Sequence, residues 1–357
     1  MNLGVTRFEK VAVATAEPAI AVRALHLSYG TAKILHGIDL ELPRGRALAL
    51  LGPSGSGKTT LLRTIAGLEA PDRGEIALNG QVVANPQRAI KLAPEKRGLG
   101  MVFQDYALWP HMSVARNVGF PLEMAGMGRG AREQTVMRAL DRVGLGDMAQ
   151  RRPSALSGGQ QQRVGIARAV ASGAQTILFD EPLSNLDREL RESMVDEIAQ
   201  LVAELGLSAL YVTHDHSEAF SLAHEVAVLR AGQIAQIATP EDLVAAPAKP
   251  WIAEFLRLGA ILPVTPGQAP LPGVIAPAGA TNVLLARRAL SVCPPAQSLL
   301  RARVLRCLFR GEDFQLTLAL QSGADIQITS PQRASPGSEL GLHVAQDALR
   351  WFHEPTT

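Results

Sequence analysis

The chain has 357 residues, room for about two domains, and its 47% hydrophobic and 19% charged content belongs to a protein with a large core, not to a disordered one. A net charge of +2 gives no push toward nucleic acid, and just two cysteines, Cys293 and Cys307, exclude a disulfide framework and fit a reducing cytoplasm. No apolar run approaches the roughly 18 residues that a membrane-crossing helix needs, so a link to a membrane is expected to run through a partner.

Residues 1–18 read as a loose leader, because Glu9 and Lys10 interrupt the N-terminus before any signal-peptide core forms. IAVRALHLSYG alternates apolar and polar residues and predicts a half-buried strand. ILHGIDLELPRG predicts a second, closed by a Pro and Gly turn. ALALLG is short and continuously apolar, as a buried parallel strand is, and KTTLLRTIAGL follows with helical composition up to Gly67. GEIALNGQVV is a hairpin signal with Asn79 and Gly80 at its turn. LGMVFQ predicts a strand that runs into the aromatic loop DYALWPHMSV, and Ser113 to Ala155 lacks strand signals and reads as helical. TILFDEP and SALYVTHD are two more buried strands. Between them, RELRESMVDEIAQLVAEL sets Leu190, Met194, Ile198, Leu201, Val202 and Leu205 on one helical face. This alternation predicts an α/β fold with a mainly parallel sheet and helices on its faces.

The composition changes after Pro263. A Pro- and Gly-rich stretch leads into short strand-like runs, RARVLRCLF, DFQLTLAL and ADIQITS, whose spacing predicts a small β-barrel or sandwich. The expected organisation is therefore a domain over 19–245, a connector over 246–262 with a helix around Trp251 to Leu258, and a β-rich domain over 263–357.

GPSGSGKTT, from Gly52 to Thr60, matches G-x-x-x-x-G-K-[ST] between a predicted strand and a predicted helix. Across the loop Gly52, Pro53, Ser54, Gly55, Ser56 and Gly57, the small residues let backbone N–H groups turn inward around phosphate oxygens. Lys58 then reaches the β- and γ-phosphates, and Thr59, followed by Thr60, can place its hydroxyl on Mg²⁺. TILFDEP ends in Asp180, placed for Mg²⁺, and Glu181, placed to orient or deprotonate a water. Gln104 and His214 also close strands, and strand carboxyl ends face the ligand crevice of such a sheet.

A second anion signal is SALSGGQQQR. Ser157 and Gln160 form an S-x-x-Q capping box, which by itself asks for no ligand. Gly158 and Gly159, however, lower helix propensity and suit a place where another body approaches the backbone closely.

LSGGQQQR, the phosphate loop, Gln104, ILFDEP, SNLD and YVTHD occur in that order, and over about Ile20 to Leu258 the chain resembles the nucleotide-binding subunit of an ATP-binding cassette (ABC) transporter. The resemblance implies ATP and Mg²⁺ as ligands and an ABC ATPase fold with an antiparallel β subdomain and a helical subdomain at about 105–170. It implies a head-to-tail homodimer in which Ser157, Gly158 and Gly159 meet the partner's γ-phosphate. Tyr29 matches the aromatic residue that stacks on adenine, and Gln104 the residue that senses Mg²⁺ and the membrane subunit. Ser184 to Asp187 match the loop that crosses the interface. Glu181 matches the catalytic carboxylate and His214 the switch histidine. Permease subunits and, through the complex, a substrate-binding protein are the implied partners, with the chain peripheral on the cytoplasmic face. YALWPHMSV corresponds to the docking region, with Trp109 where relatives often have Phe and His216 where Gln is common.

The C-terminal segment resembles the OB-like regulatory domain of importer ATPases, although LLARRALSV stands where that domain usually has a Pro-Glu pair. FDEPLSNLDRELRESM and LYVTHDHSEAF look closest to ferric-iron-type importer ATPases, while polyamine, sulfate, phosphonate and sugar importers share most of these residues. A P-loop phosphotransferase has no use for LSGG. A cassette protein acting on DNA or ribosomes carries a coiled-coil insertion or a second cassette, and neither occurs in these 357 residues. The C-terminal β domain argues against an exporter.

Overall fold

The structure, a computed structural model, describes residues 17–184, 188–267, 269, 271, 274–294, 298, 300–321, 323–345 and 349–353. The chain divides into two compact units, Met1–Ile237 and Ala238–Thr357.

In the first unit the elements run β1 (Ile20–Tyr29), β2 (Ala32–Leu42), β3 (Ala47–Leu51), α1 (Lys58–Ala66), β4 (Arg73–Leu78), β5 (Gln81–Asn85), β6 (Ile90–Lys91) and β7 (Leu99–Val102). Then come α2 (Val114–Met124), α3 (Arg129–Arg142), α4 (Gly158–Ala171), β8 (Thr176–Asp180), α5 (Arg188–Glu204), β9 (Ser208–Thr213), α6 (His216–Leu222), β10 (Glu225–Arg230) and β11 (Gln233–Ala238). One sheet has the order β2-β1-β4-β5-β6 and pairs antiparallel throughout; the β4–β5 hairpin turns at Asn79 and Gly80. The other has the order β11-β10-β3-β9-β8-β7, with β10, β3, β9, β8 and β7 parallel.

Continuous apolar composition explains the second sheet. All five residues of β3 and all six of β9 are buried, as strands covered on both faces must be. The core places α1 between the two sheets. Leu61, Leu62 and Ile65 of α1 pack in one cluster with Ile20, Leu25 and Leu78 of the first sheet and Leu50, Leu178 and Val212 of the second. Burying each such side chain stabilises by about 1.5–3 kcal/mol, so the phosphate-loop helix is held from both sides. Helices α2, α3 and α4 pack on one another and α4 also on β7. Five of the six residues expected on the inner face of α5 are at least half-buried, but Leu190 at its start is 38% exposed. That face is used from Met194 onward, because the first turn of the helix has run past the core.

The second unit holds α7 (Pro240–Ala245), α8 (Pro250–Phe255), β12 (Gly259–Pro263), β13 (Ala280–Ala286), β14 (Leu290–Cys293), β15 (Leu300–Phe309), β16 (Phe314–Leu320), β17 (Asp325–Ser330), β18 (Glu339–Val344) and β19 (Arg350–His353). Its strands form two antiparallel sheets, β12-β13-β19 and β14-β18-β15-β16-β17. Alternating residues such as Leu316, Leu318, Ile326 and Ile328 meet Leu262, Val283 and Leu285 in one core. This is a half-barrel of two sheets, the β-rich domain that the strand spacing predicts. Among the described residues no helix is long and apolar enough to cross a membrane.

Candidate functional site

Register in the parallel sheet builds the site. Leu51 pairs with Thr213 and Asp180 with Val212, so the next residues, Gly52, His214 and Glu181, leave the sheet side by side. Val102 pairs with Phe179, which brings the loop of Gln104 out at the same edge. A cavity of about 540 Å³ opens there, lined by Ile34, Ser54 through Thr60, Glu181 and His214.

The loop is shaped by contacts that tolerate no side chain at its first residue: a Cβ on Gly52 would run into the Leu229 carbonyl oxygen. Lys58 Nζ donates to the carbonyls of Gly52 at 2.8 Å and Pro53 at 3.1 Å, which ties the loop around its own cation. Burial lowers the Lys58 pKa, and the Glu181 charge holds part of it up. The first turn of α1 has Gly57 at its N-cap, with φ of 100° and no side-chain cap bond. Its N–H groups are therefore left open to an anion. The Ser56 hydroxyl is buried without a protein partner among the described residues.

Glu181 sits in the left-handed region, φ 47°, which costs a non-glycine residue about 1–3 kcal/mol. Pairing of its N–H with Val212 O at 3.0 Å and of Ser184 Oγ with its carbonyl at 3.0 Å holds it there. His214 Nδ1 lies 3.3 Å from Glu181 Oε2. Behind them the Asp180 carboxylate, at the end of β8, stands beside Thr59. Burial raises the Asp180 pKa, Arg63 pulls it down and the Glu181 charge pushes it up, with a net rise. Tyr29, at the end of β1 and 49% exposed, stands near Thr60 and Glu69. Gln104 is exposed in the loop beyond β7 and does not line the cavity.

The Ser157 turn is a separate feature. The capping box forms in both directions: Ser157 Oγ accepts from Gln160 N at 3.4 Å, and Gln160 Oε1 accepts from Ser157 N at 3.0 Å. Among the described residues, the amides of Gly158 and Gly159 have no partner. The body that approaches Gly159 belongs to the chain itself: a Cβ there would run into the sulfur of Met194 on α5. Ser157 is exposed, Gly158 half-buried and Gly159 buried. Asp187 lies outside the described residues.

Several supporting residues carry no local sequence signal. Thr213 Oγ1 donates to the buried Glu218 at 2.6 Å and accepts from Asp215 N at 3.0 Å, which brackets His214. Arg191 of α5 lies 3.8 Å from Asp215 and 3.6 Å from Glu218. Burial alone would raise the Asp215 pKa, but bonds from Ser217 and Glu218 and the Arg191 charge outweigh it and lower it. Arg168 of α4 donates to the carbonyls of Ala107 at 2.7 Å and Tyr106 at 3.1 Å and lies 5.7 Å from the Trp109 ring centroid. It thereby ties the Gln104 loop to the helix that begins at Gly158. Finding these contacts needs the tertiary structure, since the partners are 61 and 62 residues away.

Comparison with known proteins agrees with this geometry. Residues 35–184 match the family model described as ABC transporter. An sn-glycerol-3-phosphate import ATP-binding protein from Rhizobium johnstonii is 44% identical over 66% of this chain and 63% of its own length, so the chain spans less than two thirds of that relative. An Fe(3+) ions import ATP-binding protein from Mesorhizobium japonicum is 46% identical over 69% of this chain and 67% of its own. Another, from Streptomyces avermitilis, is 40% identical over 82% of this chain and 85% of its own. The solved structure of cbiO1 from Clostridium perfringens, part of an ABC transporter complex, aligns with a TM-score of 0.57 and 26% identity over 64% of this chain and 92% of that one.

The Asp180 environment gives a pH prediction. A carboxylate whose folded pKa exceeds its unfolded value binds its proton more tightly when folded, so stability falls as pH rises between the two values. Asp180→Asn lacks that loss. In nucleotide-free melts its Tm, relative to the unsubstituted chain, should climb across that window and level off above it; a pH-independent difference would contradict the assignment.

Proposed function

The chain belongs to the ABC transporter family, and on that premise we propose that it is the ATP-hydrolysing subunit of an importer, acting as a head-to-tail homodimer. The meeting of the Lys58 loop with Glu181 and His214 in one cavity carries the reading. ATP is the substrate. The open N–H groups of α1 and Lys58 take its phosphates, and the exposed Tyr29 ring offers a surface for adenine. Glu181 aligns the attacking water and accepts its proton as the oxygen bonds to the γ-phosphorus and the bond to ADP breaks. His214 steadies Glu181 and the γ-phosphate together.

The donor set fits Mg²⁺: Thr59 and Asp180 are neighbouring hard oxygen donors, and the Gln104 loop leaves the sheet at the same edge. Held by these residues, Mg²⁺ supplies neutralisation of phosphate charge. The second half of each site comes from the partner copy. Ser157, Gly158 and Gly159, aimed by the capping box with Gln160, close on the ATP of the other chain. ATP binds the closed dimer better than the open one, and that difference drives the membrane partners. Permease subunits form the membrane path, the chain sits at their cytoplasmic face, and a substrate-binding protein delivers the cargo.

We assign ferric iron as the cargo because the Streptomyces avermitilis Fe(3+) relative aligns over 299 residues, more than the 237 of the first unit. Relatives named for sn-glycerol-3-phosphate and for spermidine and putrescine, at 44% identity, supply the alternatives. With permease and binding protein reconstituted, Fe³⁺ should stimulate ATP hydrolysis; stimulation by sn-glycerol-3-phosphate or spermidine instead would reassign the cargo.

Glu181→Gln should retain ATP binding, lose hydrolysis by about 10²–10⁴-fold and accumulate as an ATP-dependent dimer on size exclusion. A variant that stays monomeric with ATP, or that hydrolyses at the original rate, would refute the mechanism.

A further inference from the structure

The second unit carries a cationic groove that ATP chemistry does not use. Its floor is the outer face of the β16–β17 hairpin. Alternation buries Ile326 and Ile328 and exposes Asp325, Gln327 and Thr329. Across the ladder Thr317 pairs with Gln327, and Gln315 with Thr329. The turn after β13 brings Arg287 and Arg288 to this face, and Arg257 follows α8. Two contacts fix their approach: Arg287 N donates to Leu258 O at 2.8 Å, and Gly259 pairs with Ala286.

A cavity of about 430 Å³ results, lined by Arg257, Arg287, Thr317, Asp325 and Gln327 among others. A second of about 260 Å³ shares Arg287 and Gln327 and adds Arg288, Gln315 and Thr329. Two guanidiniums thus share the larger cavity with one carboxylate, and a third lines the smaller one. Among the described residues, none of the three arginine side chains has a hydrogen-bond or ion-pair partner. Burial and then the charge of Arg257 lower the Arg287 pKa, so the two cations feel each other without a counterion. Such a pair is stabilised by an anion that both can fork onto.

The neighbouring amides are set as donors. Arg310 Nε donates to Gln315 Oε1 at 3.0 Å, and Gln315 Nε2 donates to Gln327 Oε1 at 3.2 Å. Both amide oxygens are engaged, which leaves Gln327 Nε2 to donate onward. Among the described residues of the lining, Asp325 is the one carboxylate, an acceptor-only side chain when ionised. It repels a fully ionised anion and accepts from one that still carries a hydroxyl.

We propose that this groove binds a small phosphate-class oxyanion, its ionised oxygens on Arg257, Arg287 and Gln327 and its hydroxyl on Asp325. Sulfate has no proton to give Asp325 near neutral pH and is rejected on that ground, by the cost of an unpaired carboxylate against an anion.

The test is calorimetry on the full chain saturated with ADP, so that the Lys58 loop is filled. Inorganic phosphate should bind saturably, and sulfate about 10-fold or more weaker. Arg257→Gln with Arg287→Gln should weaken phosphate binding by about 10-fold or more, while Asp325→Asn should let sulfate bind as well as phosphate. Methyl phosphate distinguishes the source: near neutral pH it is mostly a dianion without a hydroxyl, so it should bind more weakly than the free ion, and binding equal to inorganic phosphate would overturn the role given to Asp325. Absence of saturable phosphate binding would overturn it. So would unchanged affinity in the double variant, or sulfate matching phosphate on the unsubstituted chain. The exchanged side chains are exposed, so an unaltered melting curve verifies that the variants are folded.

Discussion

Parallel pairing of β7, β8, β9 and β3 is the constraint on which the site depends. Parallel strands in register deliver their carboxyl ends to one edge, so four chain segments far apart in sequence leave the sheet on the same side. The Lys58 loop, Glu181, His214 and the Gln104 loop are those four exits. A slip of one residue between β8 and β9 would turn Asp180 and Glu181 to opposite faces from their present ones. Burial on both faces of β3 and β9 is what makes such a slip costly.

Two helix starts in the first unit meet the same electrostatic need in different ways. The N-terminus of α1 has no side-chain cap, and its N–H groups and Lys58 face a cavity inside one chain. The N-terminus of α4 is closed by its capping box except for the Gly158 and Gly159 amides. Arg168 connects that helix to the backbone at Tyr106 and Ala107, and Thr213, Glu218 and Arg191 brace the His214 loop from β9, α6 and α5. In the proposed dimer these contacts would link the nucleotide site to the Trp109 loop.

Much of this architecture is legible locally. Continuous apolar runs identify β3, β8 and β9, Asn79-Gly80 marks its hairpin, and S-x-x-Q marks the cap of α4, because each rests on neighbours within a few residues. What escapes is set by contacts across the chain. The need for glycine at 159 arises from Met194, which no local pattern links to it. Leu190 fits the apolar stripe of α5 yet is exposed, because periodicity does not say where the core ends. Nothing local to Arg168 or Arg257 gives what each faces; that comes from the fold.

The central claim is that each ATP site is shared by two copies of this chain. Mixing Ser157→Arg subunits with Lys58→Ala subunits and measuring ATP hydrolysis tests it directly. Each variant alone should be inactive, because every site in its homodimer lacks one half, whereas a mixed dimer regains one intact composite site. A mixture no more active than its components, or full activity in either variant alone, would contradict the shared site.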